Sequence, residues 1–206
     1  MRSWLAQGSP IMRGLSLLAD VALLNLLWLI CSIPILTLGA STAALYACLF
    51  ARQRGEPCGA SAFFCAFRVH FRRATVLWFI ALCAGIVLYV DYWFTISASF
   101  PLHQVLLALY AALALVLLIA LPFLFLPPAL EARTVLLSFR SSLLLGIAKL
   151  PRTVAVLLLW SIPVLWLSLS PSSFWHYGWI WIGLGFGLLA FLSAKLMRKS
   201  TPNEVD

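Results

Sequence analysis

Long apolar runs constrain this chain more than any other feature in it. Leu15 to Leu36 is 22 residues with nine Leu, three Ile and one Val. As an α-helix it measures about 33 Å, against a hydrocarbon core of about 30 Å. Its aliphatic side chains contribute about −0.3 to −0.6 kcal/mol each to insertion, which outweighs the roughly 3 kcal/mol cost of one off-centre Asp20. Further runs occupy 37–51, 74–97, 102–126, 153–169 and 174–194. A backbone in hydrocarbon must satisfy its polar groups internally, so these runs are helices or barrel strands, and Leu-, Ile- and Ala-rich stretches of this length select helices. With 64% hydrophobic and 10% charged residues, against roughly 25% charged in a soluble domain, the chain has too little polar surface for a water-soluble globule. The expected fold is all-α, a polytopic transmembrane helical bundle of six spans forming one domain over 1–206.

The second run, 37–51, is short and rich in small residues: Gly39, Ala40, Ser41, Thr42, Ala43 and Ala44. Such a face allows close backbone approach, so this segment either packs deep among its neighbours or is re-entrant. The first run is too long for a signal peptide, carries Asp20 and Asn25, and lacks a small-residue cleavage pattern after it. It is therefore expected to remain as the first membrane helix.

Basic residues fix the expected orientation. All 14 Lys and Arg lie before the first run, after the second, after the fourth or after the sixth, and none lies near Pro34, at Ser97 to Pro101 or at Ser170 to Ser173. The positive-inside rule then places both termini in the cytoplasm of a multi-pass cell-membrane protein. These charges form short scattered clusters, so no nucleic-acid surface is expected.

Two basic connections are patterned. Ala60, Phe64, Phe67, Phe71 and Ala74 recur at helical spacing with Ser61, Arg68 and Arg72 off the stripe. Leu136, Phe139, Leu143, Ile147 and Leu150 do likewise, with Ser138, Ser141 and Lys149 elsewhere on the wheel. Amphipathic interfacial helices are expected at about 59–73 and 132–150, apolar side toward the lipid. The tail, 195–206, is polar. Trp28 to Leu36 (WLICSIPIL) and Trp160 to Leu165 (WSIPVL) hint at an internal duplication.

Intramembrane polar groups are the usual markers of function. Asp20 lies two turns after Arg13 on the same face, which suggests a loose ion pair; with Asn25 it could instead form a proton or cation site. Asp91 sits beside Tyr92 and Trp93 in an aromatic belt, where a solvated rim is the plain reading and a sugar or cation site with His103 and His176 the sharper one. Glu131 is expected to meet Arg133 or the interfacial helices. Phe64, Phe67, Arg68, Phe71, Arg72 and Arg73 make a basic, aromatic inner face. Gly183 and Gly187 follow no strand and read as a small-xxx-small packing face. Cys31, Cys48, Cys58, Cys65 and Cys83 show no Cys-x-x-Cys spacing and are expected to act as small apolar residues. No catalytic motif, metal cluster or cofactor loop is recognised, and no enzyme activity is expected.

The stretch from Ala19 to Tyr46 (ADVALLNLLWLICSIPILTLGASTAALY), followed by Phe63 to Trp78 (FFCAFRVHFRRATVLW), resembles the YesL family of bacterial integral membrane proteins. Its signature positions would be Asp20, Asn25, Trp28, Pro34, Gly39, Thr42, Tyr46, Phe64, Phe67 and Phe71. That family has no known function and is often encoded beside carbohydrate uptake and sensing genes. The resemblance implies an accessory or regulatory membrane component associated with carbohydrate uptake or sensing. Around the phenylalanine stripe this chain carries Arg68, His70, Arg72 and Arg73 where the family tends to have Lys, Glu and Asn. The partners expected are the lipid bilayer and another membrane protein or a second copy of the chain. The alternative is a small transporter or channel for a sugar or cation.

Overall fold

The computed structural model describes residues 10–97, 103–169, 178 and 181–198. These are almost entirely helices joined by short turns, with no strand among them. Five segments are long and apolar enough to cross a membrane: Gly14–Ser32, Ile35–Gln53, Ala60–Ser97, Gln104–Phe123 and Leu150–Leu169. Of the expected sixth run, 174–194, residues 174–177 and 179–180 lie outside the described ones, and the apolar helix there, Gly183–Met197, is shorter than the five above. The connection at Ser170 to Ser173 and the tail from Lys199 onward also lie outside them.

Helix α1 runs Pro10–Ser32 and stops before Pro34, whose ring disfavours helical backbone at the preceding residue. The Thr37 hydroxyl sits 2.6 Å from the carbonyl of Cys31 and 2.8 Å from that of Pro34, which satisfies acceptors a helix end otherwise leaves open. A 3-10 turn, Ile35–Thr37, leads into α2, Leu38–Gln53. Gly55, at φ 84°, ends α2: its N–H donates to Arg52 and that of Glu56 to Ala51. This is a Schellman cap, whose left-handed residue favours glycine.

Helix α3 is continuous from Ala60 to Ser97, 38 residues or about 57 Å. The expected interfacial helix at 59–73 and the expected span at 74–97 are thus one rod. No Pro interrupts it, and a cluster of arginines does not break a helix. The rod is antiparallel to α2, and Gly39 makes the register visible. A Cβ built there would lie 2.5 Å from both the Ala74 carbonyl oxygen and the Trp78 Cβ. The α1–α2 turn therefore sits at the middle of α3, and Phe79 to Ser97 continue about 28 Å beyond it.

Helix α4, His103–Ala120, returns along this outer half and ends where Pro122 forces a 3-10 turn, Leu121–Phe123. The residues from Phe123 to Leu126 are buried. The apolar run 102–126 therefore ends as a plug in the core. A short helix α5, Pro127–Leu130, precedes α6, Val135–Ala148, whose N-cap Thr134 accepts from the Leu137 N–H.

Helix α6 turns much of its expected apolar stripe outward and its small residues inward. Ser138, Ser142 and Gly146 are buried, while Leu136, Leu137, Leu144 and Ile147 are exposed. A Cβ at Gly146 would lie 2.7 Å from the Ile119 carbonyl oxygen. Small residues bring α6 against α4, as in membrane helix contacts. Helix α7, Leu150–Leu169, follows after Lys149, and a π-helical turn, Trp181–Gly185, runs into α8, Phe186–Arg198.

The core gathers α1, α2, the first half of α3, residues 123–130 and α8. Beyond it the packing thins. From Leu82 to Ser97 only Thr95 is buried, and among the described side chains of α4 only Ala120 is. Helices apolar on all sides and covered by so little protein belong in lipid.

Candidate functional site

The polar side chains inside the bundle form a seam. On α1, Ser16, Asp20, Leu24, Trp28 and Ser32 recur every four residues and so share a face that winds slowly around the helix. Against them α2 sets Arg52, Thr42 and Ser41. Arg52 Nε lies 2.8 Å from Asp20 Oδ2, and Arg52 Nη2 donates to Ser16 Oγ at 3.1 Å. The Trp28 indole donates to Thr42 Oγ1 at 3.2 Å, and the Ser32 and Ser41 hydroxyls are 2.6 Å apart. Ser41 and Thr42 also lie within reach of the Leu38 carbonyl, at 3.0 and 2.7 Å.

A second contact joins this pair to α8. Asn25 is fully buried, and a Cβ at Gly187 would lie 2.8 Å from the Asn25 Cβ and 2.9 Å from the Val21 carbonyl oxygen. Phe186 lies between Trp28 and Trp160, with ring centroids 5.7 and 6.4 Å away. Tyr46 is buried and hydrogen-bonds to Ser193 and Trp160. Hydrogen bonds of this kind between membrane helices are worth on average about 0.6 kcal/mol and at most about 2 kcal/mol. Several together fix which faces meet.

This arrangement reassigns several expected sites. Asp20 pairs with Arg52; the Arg13 side chain lies outside the described ones. Sequence alone favoured Arg13 because local spacing hides a partner on the next helix. Asp20 and Asn25 do not share a site either, since five residues place them about 140° apart on α1. Asp20 faces α2 and Asn25 faces α8. Asp91 is half-buried, and its carbonyl accepts from Thr95 Oγ1 at 2.8 Å; the side chains of His103 and His176 lie outside the described residues. Glu131 is exposed and acts electrostatically on His70. Gly187 makes a close contact, whereas nothing lies within 4 Å of a Cβ at Gly183.

The basic, aromatic stretch is split between surface and core. Phe64, Arg68, Phe71 and Arg72 are exposed. Phe67 stacks on the fully buried Phe63, with centroids 6.4 Å apart. Arg73 turns inward, and its Nη2 donates to Ser138 Oγ at 3.1 Å. That hydroxyl in turn donates to the Ala129 carbonyl at 2.7 Å, so Ser138 ties α3, α5 and α6 together. Sequence reasoning placed Ser138 only off the apolar stripe of its helix and did not single out Phe63. The spacing Ser138-x-x-x-Ser142-x-x-x-Gly146 was readable as a small-residue packing ladder.

A family model described as "Protein of unknown function, DUF624" matches residues 21–92. That segment holds most of α1, all of α2 and α3 through Tyr92, including both tight α2–α3 contacts. Neither the curated proteins nor the solved structures contain a match.

Proposed function

We propose that this protein is a non-catalytic, accessory membrane component that works by docking against another membrane protein or a second copy of itself. One observation carries the reading: the outer half of α3 and nearly all of α4 are covered by little protein beyond each other, while the polar side chains of the α1–α2 seam are engaged in holding those two helices together. A pathway for a polar solute would instead leave such groups lining a cavity. The groove between α3 and α4, about 420 Å³, is lined by Gly85, Leu88, Tyr89, Tyr92, Tyr110, Ala111 and other apolar residues, with no charged side chain.

The likeness to YesL-type proteins extends the proposal to carbohydrate uptake or sensing as its setting. In the orientation we favour, the bilayer covers the outer half of α3 together with α4. The end of α3 that bears Arg68, Arg72 and Arg73 then faces the cytoplasm, as do both chain termini. Arginine at a bilayer centre costs about 2.5–3.5 kcal/mol or more, so these three are poorly placed in hydrocarbon.

The test is purification in mild detergent after crosslinking in the membrane. A stoichiometric membrane-protein partner or a discrete homo-oligomer is expected. Recovery as an uncrosslinked monomer, together with solute uptake in reconstituted vesicles that Asp20→Asn abolishes, would favour the transporter alternative.

A further inference from the structure

Two cysteines that sequence reasoning treats as apolar filler come together beside the α1–α2 ion pair. Cys48, one helical turn before Arg52 on α2, is 2% exposed in the core. Cys58, just past the Schellman turn, packs against that core, and the two thiols are hydrogen-bonded to each other. Both are free. Cys58 also reaches solvent, lining an open pocket with Pro57, Gly59, Ser61, Ala62 and Cys65. One thiol is therefore accessible and its neighbour is sheltered, the division of labour needed by an attacking and a resolving sulfur.

We propose that Cys58 and Cys48 form a reversible dithiol–disulfide site oxidised by hydrogen peroxide, with Cys58 attacking and Cys48 resolving. The Cys58 thiolate attacks one peroxide oxygen. An S–O bond forms as the O–O bond breaks, and the departing hydroxide takes up the thiol proton to leave as water. Cys58 is then a sulfenic acid. Cys48 Sγ attacks Cys58 Sγ, the S–S bond forms, the S–O bond breaks, and the Cys48 proton leaves with the hydroxyl as a second water. Two electrons pass from the sulfurs to the peroxide.

The surroundings assist the first step. The hydrogen bond from Cys48 holds the Cys58 thiol below its usual range; Arg52 adds to this, while burial and the Asp20 carboxylate oppose it. Thiolate character and access together select which cysteine reacts. Once formed, the bridge fastens the α2–α3 connection to the core next to the Asp20–Arg52 pair.

The experiment treats the detergent-purified full chain with one equivalent of hydrogen peroxide, caps remaining thiols and maps peptides without reduction. A single 48–58 linkage is expected, with free thiols falling from five to three and returning with dithiothreitol. In Cys48→Ser, Cys58 should accumulate as a sulfenic acid that dimedone traps. Cys65→Ser should leave the 48–58 linkage intact, and Arg52→Gln should slow the reaction several-fold. A 58–65 bridge, preferential oxidation of Cys65, or five unreacted thiols in the wild-type chain would overturn the proposal.

Discussion

The Trp78 indole N–H donates to the Ile35 carbonyl at 2.8 Å, which fastens the turn between the first two helices to the middle of α3. Pro34 and Ser97, expected to border the same outer surface, are therefore separated by the whole second half of α3. Even at a 40° tilt that half spans about 20 Å of depth. In a chain whose own cysteines are replaced, Ile35→Cys and Ser97→Cys should react with an impermeant maleimide from opposite faces, and Glu56→Cys from the same face as Ile35. Labelling of Ile35 and Ser97 from one face would defeat the bilayer placement proposed above.

Gly39 has no room for a side chain. The Cβ of Gly39→Ala would meet a backbone oxygen and the Trp78 Cβ at 2.5 Å, and forced overpacking of this kind costs about 1–3 kcal/mol. Gly187→Ala should be destabilising for the same reason at α1. Gly183→Ala, with open space around it, should be neutral or slightly stabilising. Thermal unfolding in detergent separates these outcomes, and equal melting of all three variants would mean that the α2–α3 register is wrong.

The Asp20–Arg52 pair is a clamp of modest strength. Its side chains are 29% and 26% exposed, so a double-mutant cycle of Asp20→Asn and Arg52→Gln should return a coupling of about 1 kcal/mol or less. A value several times larger would point to an enclosed site in place of an interfacial clasp.

Ser138 accepts from one partner and donates to another in a buried position. Ser138→Ala leaves the Ala129 carbonyl and the Arg73 guanidinium short of a partner, at a cost of about 1–3 kcal/mol. Ser141, whose hydroxyl donates only within its own helix, provides the control, and its alanine variant should stay within about 0.5 kcal/mol of wild type. Equal stability of the two variants would mean that the hydroxyl of Ser138 links nothing.

The Arg54 guanidinium holds the Glu56 carboxyl below the usual carboxylate range. A depressed folded-state pKa stabilises above the unfolded value and is lost as pH falls through the folded one. The difference between wild type and Glu56→Gln should thus be greatest near neutral pH and close on acidification. Since both side chains are about half exposed, that difference will be small; a gap that widens in acid would contradict the pairing.

Helix content and the segments able to span a membrane were legible in sequence, because a 22-residue Leu-rich run has few physical alternatives. The close contacts of the α2 small-residue segment were legible for the same reason that Gly39 is needed there. Sidedness within each helix was harder to read. In α3 the stripe was drawn through Ala60, Phe64, Phe67, Phe71 and Ala74; the core takes Ala74 from it but leaves Phe64 and Phe71 exposed, and buries Phe63, one residue around from Phe64. Arg52 as the partner of Asp20 depends on how the Pro34 turn folds α2 back along α1, and Cys58 as that of Cys48 on the Gly55 turn; local spacing encodes neither. The division of α3 was misread because charge marks depth in a membrane and does not mark where a helix ends.

Helix α6 shows what burying small residues and exposing leucines does to mutational tolerance. In a water-soluble protein the leucines would be intolerant of change and the serines free to vary. Here Leu136, Leu144 and Ile147 can exchange among any lipid-compatible residues, while Ser138, Ser142 and Gly146 admit almost nothing larger. Volume is limited all along this face, and at Ser138 the hydrogen bonds of the hydroxyl are required as well. A polar replacement of small size can pass where a bulkier apolar one fails.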